Sequence, residues 1–502
     1  MEIGDLGNTI TEEDKRKETK NMNKNKDMNN ENNNREATGN TEILKANRLG
    51  VNPVGKLLLE FSLPAIVAMI ANALYNVVDS IFVGRGVGPL ALTAVTIAFP
   101  IMIMLMAFGM LVGIGATALV SIRLGQQKHE EAEKILGNAF STIAIMGVVI
   151  TISMLIFLDP ILLFLGATPD VFEYAKQFTT VILIGSIFQF VSFGINNIIR
   201  AEGNPMISMG TMLFSAGLNT VLNPLFIFVF HWGIRGSALA TITTQLLVTC
   251  YIIYHFTLGK SNLKLRAKNL RIEGSLLLKI FAIGLSPFLL QMAASFTTFL
   301  FNNYLLVYGG EMAVAAMGVI GRTTMMILMP IFGINQGAQP IIGYNYGAKK
   351  YHRVKRTLLY ASIAATSICV FGFAIIQIFS QQIISLFNGD QGLVTIGVHG
   401  IRIFLLMLPV IGMQIVITNY FQSVGKASKA ILLSLTRQVI FLVPLIIILP
   451  MFFKLDGIWY AGPIADFCAS LLAGVLLYRE FRHLDEKHEN HKKNEVNRNH
   501  QL

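Results

Sequence analysis

An acid sits inside an apolar run in the stretch LPAIVAMIANALYNVVDSIFVG, Leu63 to Gly84. Phe61 to Val78 are eighteen residues without a charge, about the length of a helix across a bilayer core. Asp79 follows. Asn72, Asn76 and Asp79 are spaced i, i+4, i+7, so they share one helical face. A polar stripe ending in a carboxylate needs a protein interior or a water-filled cavity, not lipid. In such a place the acid can bind and release a proton or another cation. A helix from about Lys56 to Gly84 also puts Asp79 roughly 8 Å from its end, where an interfacial role is the simpler reading.

Similar stripes recur. Ser215, Asn219 and Asn223 are spaced by four, and Pro224 follows. Gln291, Ser295, Thr298 and Asn302 share one face, Asn335, Gln336 and Gln339 cluster, and Gln189, Asn196 and Asn197 lie in another apolar run. Each amide alone reads as an interhelical hydrogen bond worth about 0.6 kcal/mol. Jointly, Asn72, Asn76, Gln189, Asn196, Gln291, Thr298, Asn302, Asn335, Gln336 and Gln339 predict a wet central cleft for substrate. The remaining intramembrane charges are Arg322, Arg402, Arg437 and Asp466. The arginines lie near span ends and can snorkel, whereas Asp466 has no obvious partner. Aromatics at 10% and 22 methionines suit an adaptable pocket for organic cations, and suit lipid-facing packing equally.

The elements that position these residues are membrane helices. The 502 residues are 53% hydrophobic and 14% charged, where a soluble domain carries nearer a quarter charged. Apolar runs of about 20 residues recur along the chain. Twelve segments are predicted: 57–84, 90–120, 134–158, 175–200, 205–230, 235–258, 276–308, 313–343, 354–380, 393–422, 427–450 and 456–480. The fold class is all-α integral membrane, with twelve transmembrane helices in two pseudo-symmetric six-helix lobes. The N-lobe takes 53–259, a cytoplasmic linker 260–275 and the C-lobe 276–480. Residues 1–52, rich in Asn, Lys and Glu, lack the apolar surface for a core and read as a disordered cytoplasmic tail. They hold no signal-peptide core. Residues 481–502 form a polar cytoplasmic C-terminal tail.

Loop charge sets the expected orientation. Seventeen Lys and Arg fall in the loops of one side, against Arg85, Lys176, Arg235 and Lys454 on the other. The richer side faces the cytoplasm, with both termini. A net charge of +11 therefore reflects loops rather than a nucleic-acid partner. The halves also repeat. A shift of 222 residues places Gly88 on Gly310, Gly115-Ala116 on Gly337-Ala338, Gly125 on Gly347, Asn197 on Asn419 and Gly203 on Gly425. Two copies of six spans share one orientation, related by an axis along the membrane normal, as in transporters.

No phosphate-binding loop, paired Cys or His ligands, or nucleophile elbow is present, and Cys250, Cys369 and Cys468 each stand alone. Enzyme chemistry and ATP-driven pumping find no residues, and no cofactor is expected. Coupling to an ion gradient remains.

The chain resembles the MATE family, the multidrug and toxic compound extrusion transporters. The resemblance is carried by LYNVVDSIFVG (74–84), Phe99-Pro100, GATALVSIRLGQQKHEEAEKIL (115–136), RAEGNPMISMG (200–210), GLNTVLNPLFIF (217–228), GSALAT (236–241) and GAQPIIGYNYGAKK (337–350). RAEGNPMISMG especially resembles the family's MepA-like multidrug export branch. The match runs from about 55 to 480. It implies two rocking lobes in the bacterial inner membrane that export amphipathic, often cationic drugs against H⁺ or Na⁺. No obligate protein partner is evident from the sequence. It places the family's N-lobe cation site on Asp79, Asn219, Asn223 and Thr241, which would also hold Na⁺ if that ion is used. The family's second acid is here Asn223, a departure that favours a proton, which needs one carboxylate, with Na⁺ as the alternative. Spans seven and eight carry no carboxylate away from Glu311, so the C-lobe acids of some sodium-coupled members lack counterparts. The competing reading within the superfamily is a lipid or polysaccharide flippase, which would need a cationic cavity from Arg322 and Arg437. A polytopic enzyme would need a cluster of His, Asp or Glu at one face, and a channel would need no repeat of this kind.

Overall fold

The computed structural model describes residues 48–387 and 390–499. The first five spans are α1 (Val54–Gly86), α2 (Pro89–Gly125), α3 (His129–Ile156), α4 and α5 (Pro205–Val229). α4 is two pieces, Pro169–Ile184 and Ser186–Ala201, bent by 54°. α6 is Gly233–Thr257. Gly274–Gly347 runs as one helix except at Gly310, whose φ of 68° reverses the chain. It is therefore two spans, α7 (274–309) and α8 (311–347). α9 is Tyr351–Phe387, and α10 joins Gln391–Phe404 to Leu408–Ser423 across a 51° bend. α11 (427–453) and α12 (455–499) part at Lys454, φ 51°. Twelve spans are thus present among the described residues. α1, with 33 residues, is about 50 Å long, enough to cross a bilayer. The expected C-terminal tail is a helical continuation of α12 as far as Asn499. Of the predicted disordered tail 1–52, residues 1–47 lie outside the described residues, while 48–52 are ordered in a turn with Leu49 and Gly50 buried, because their carbonyls are held by the other lobe.

The sequence repeat is also a repeat of geometry. α2 begins 222 residues before α8, α3 before α9, and α5 before α11. The second pieces of α4 and α10 start at Ser186 and Leu408, again 222 apart. Left-handed turn residues recur at the same interval: Gly88 and Gly310, Gln127 and Lys349, Gly203 and Gly425. Three spans begin with proline, at Pro89, Pro169 and Pro205, where the missing N–H costs nothing.

The lobes meet near the end of the bundle that carries most of the loop lysines and arginines, called here the basic end. Gly125 lies against the carbonyl of Tyr344, and Gly347 against the carbonyl of Ile122, so a Cβ at either would collide with backbone. Ile122 and Tyr344 are themselves 222 apart, so the two contacts are one contact seen twice. Further along, Gly115 and Gly284 of opposite lobes approach the backbone of Ile280 and Leu111, and Gly337 and Gly333 approach Ser62 and Ile66. Across this seam Gln339 donates to the Ile114 carbonyl at 3.5 Å, and Arg200 to the Gln336 amide oxygen at 2.6 Å.

Away from the basic end the lobes part. α1 touches α8 through Ser62 and Ile66, yet its far end meets α5 and α6 of its own lobe at Asp79. α7 touches α2 through Ile280 and Gly284, yet its far end packs Phe301 edge-on to Phe404 of α10, ring centroids 5.5 Å apart. The two helices thus diverge from the seam, and the cleft expected between the lobes would be closed at the basic end.

Candidate functional site

Asp79 lies near the far end of α1 and reaches two neighbouring helices. Its Oδ1 accepts hydrogen bonds from Asn223 Nδ2 on α5 and from Ser237 Oγ on α6, the latter at 3.0 Å. One turn below, Asn219 Nδ2 donates to Thr241 Oγ1 at 3.2 Å, and Tyr75 lies beside Thr241. Asn219, Asn223, Ser237 and Thr241 are all buried. The four residues expected from the sequence thus form two hydrogen-bonded pairs one helical turn apart, Asp79 with Asn223 and Asn219 with Thr241.

Local sequence explains the arrangement. The four-residue spacing of Asn219 and Asn223 sets both on one face of α5. The short turn after α5 lets Gly236 of α6 press against the backbone of Phe226, with no room for a side chain. That close approach brings Ser237 beside Asp79. α5 ends in a π turn, Leu225–Val229, immediately after Pro224, a distortion that concentrates at functional sites. Ser237 and Tyr75 were not among the sequence candidates. Periodicity holds the signal for both: Tyr75 is four residues before Asp79, and Ser237 four before Thr241, each on the same helical face.

The site has unused capacity. Among the described residues, the buried Oδ1 atoms of Asn219 and Asn223 accept no hydrogen bond. A buried acceptor without a donor costs about 1–3 kcal/mol, and a proton donor or a cation relieves it. One carboxylate with neutral amides and hydroxyls suits a monovalent cation. No group of three His, Cys, Asp or Glu that could hold a metal occurs among the described residues.

The other cleft candidates divide. Asn72, Thr298 and Asn302 are exposed, and Gln189 and Gln291 half-buried. The side chain of Asn76 lies outside the described residues. Asn196 is buried between α4 and α5, donating to the Ser208 carbonyl at 3.3 Å and accepting from Thr211 at 2.8 Å. Two α8 amides sit at the seam: Gln336 binds Arg200 and Gln339 binds the Ile114 carbonyl, whereas the buried Asn335 takes the Asn419 amide of its own lobe on its main-chain carbonyl. Asp466, for which the sequence offered no partner, is buried and paired with Arg437 of α11, in a second π turn, Thr436–Leu442. Arg437 is thus neutralised by an acid of its own lobe, not snorkelled. Arg402 donates to Ser380 Oγ at 2.8 Å. Arg322 is exposed.

Twelve apolar spans in two repeats, closely joined at one end and holding a polar pocket in one lobe, are the architecture of a membrane transporter. Residues 64–225 and 287–448 each match the MatE family. The chain belongs to that family. The chain is 25% identical over 423 residues to the multidrug export protein MepA of Staphylococcus haemolyticus, covering 84% of this chain and 93% of that one. A solved structure of the MATE multidrug transporter DinF-BH is 41% identical, covers 86% of this chain and 96% of its own, and superposes with a TM-score of 0.80. A MOP superfamily transporter from Pyrococcus furiosus is 26% identical, with coverages of 87% and 98% and a TM-score of 0.82.

Proposed function

We propose that this protein is a secondary active multidrug efflux transporter, exporting amphipathic, cationic compounds by antiport with protons. It sits in the bacterial plasma membrane with the basic end and both termini in the cytoplasm, following the loop charges. The cleft then faces outward, ready to release drug and load the coupling ion.

The observation that carries the coupling proposal is Asp79 as the one carboxylate among neutral partners from α5 and α6. When Asp79 is ionised, the Asn223 amide and the Ser237 hydroxyl donate to it. When it is protonated, its O–H needs an acceptor, and turning the Asn223 amide presents the unused Oδ1. The same side chains therefore serve both states without rearranging a helix. Sodium is the second reading, supported by the same free oxygens: Asp79, Asn219, Asn223 and Thr241 together offer one charge and neutral ligands. The flippase reading loses support because Arg437, its proposed cavity cation, is paired with Asp466.

Reconstituted into liposomes, the protein should drive drug transport from a pH gradient at symmetric sodium. Transport powered by sodium at symmetric pH, and not by protons, would replace the proton with sodium. Transport under neither gradient would remove antiport itself.

A further inference from the structure

The segments leading into α1 and α7 are each fastened to the opposite lobe. Leu49 to Asn52 form a single turn before Pro53. Proline has no N–H, so the Leu49 carbonyl cannot find its helical partner four residues on. Side chains of the C-lobe take its place. Asn345 Nδ2 of α8 donates to the Leu49 carbonyl at 2.9 Å, and Arg353 Nη2 of α9 to the same oxygen at 3.2 Å. Arg353 also reaches the carbonyls of Val51 and Asn52, and Lys350 Nζ that of Gly50 at 2.8 Å. Arg353 Nε is steadied by Asn345 Oδ1 at 3.0 Å. One guanidinium thus collects three backbone oxygens, a task for its planar fork.

The second strap lies 222 residues on. The segment 269–273, leading into α7, lies along α3 of the N-lobe, the repeat partner of α9. Asn138 accepts from the Glu273 amide at 2.7 Å and donates to the Asn269 carbonyl at 3.5 Å. Ser141 Oγ donates to the Leu270 carbonyl at 2.7 Å. Gly137 leaves no room for a Cβ beneath Asn269. Here the backbone oxygens are held by neutral side chains, with ion pairs only between side chains, Lys134 to Glu273 at 4.0 Å and Arg266 to Glu133 at 3.2 Å, where Arg353 of the first strap binds the backbone directly; the layout is the same: the third helix of each lobe grips the leader of the other lobe's first helix.

We propose that these two straps hold the basic end shut, and that their release sets how readily the cleft opens to that side. The proposal rests on the antiport reading above only for its physiological meaning, because the close-packed end and the grip are geometric. Charge-assisted hydrogen bonds are the stronger ones, so the Arg353 strap should dominate.

The test is a distance measurement by double electron–electron resonance on the full chain in lipid nanodiscs. Spin labels go on Glu130→Cys and Arg356→Cys, exposed positions near the starts of α3 and α9, with Cys250, Cys369 and Cys468 changed to alanine. Arg353→Ala should raise the ratio of wide to narrow separations about tenfold, the scale of one lost charged hydrogen-bond group. Asn138→Ala with Ser141→Ala should shift it in the same direction by less. Arg353→Lys should fall between wild type and Arg353→Ala, because lysine keeps the charge without the fork. An unchanged or narrowed distribution in Arg353→Ala protein that inserts and melts as wild type overturns the proposal. The readout needs neither drug nor gradient, so it stands or falls separately from the coupling ion.

Discussion

Phe301 of α7 holds the place that Asp79 holds in α1. The two lie 222 residues apart, on helices related by the repeat, and Phe301 is buried against Phe404. One lobe thus carries an acid in a polar pocket, and the other fills the same place with hydrocarbon. Under the proposed antiport, the coupling site therefore belongs to the N-lobe.

Asp79→Asn keeps the size of the side chain and removes its charge. Coupled efflux should fall to the level of empty liposomes, with insertion and thermal stability close to wild type. Gradient-driven ethidium transport in proteoliposomes measures this, and normal efflux by the variant would falsify the role of Asp79.

Asn223→Asp places a second carboxylate against the first. Two acids sharing neutral oxygens suit a metal cation better than one does. The variant should gain a sodium-driven component of transport at symmetric pH that the wild type lacks. If sodium drives both proteins equally, the amide is not what selects the ion.

Gly347→Val inserts a branched side chain where even a Cβ meets the Ile122 carbonyl. The basic end should then fail to close, and efflux should drop at least about tenfold, since overpacking a tight contact costs about 1–3 kcal/mol. The distance pair proposed for the straps reports it: the narrow population should be depleted. A narrow population of wild-type size would mean that the seam can yield.

Arg437→Met leaves Asp466 buried without its partner. Removing one member of a buried ion pair costs about 3–5 kcal/mol, so the melting temperature should fall by several degrees. Arg437→Met combined with Asp466→Leu should recover most of that loss. Thermal unfolding in detergent measures both. A double variant as unstable as the single one would mean that the pair is held by more than its own charges.

The architecture was legible in the chain because membrane helices announce themselves by length and apolarity, and because one interval of 222 survives from Gly88 to Gly425. The centre of the site was legible because Asp79 interrupts such a run and the family pattern names its companions. Tyr75 and Ser237 were missed although each stands one turn from a chosen residue. The α8 amides were read as cleft, yet Gln336 and Gln339 bind across the seam. A helical wheel cannot separate these cases, since lipid, seam and cleft can each border the same face. The partnership of Arg437 and Asp466 joins two helices, and single-helix spacing carries no trace of it.

The glycines of the seam bear on energy as well as on fit. Where the lobes touch, Gly115, Gly125, Gly284, Gly333, Gly337 and Gly347 bring backbone to the contact and almost no side-chain hydrocarbon. Had leucines filled these places, each would add about 1.5–3 kcal/mol of apolar burial to the shut form. A few such residues would trap the molecule in one state. A joint with glycines at these points forfeits less when water enters it, which would keep the two states of the proposed cycle within the few kcal/mol that one bound ion or drug can tip.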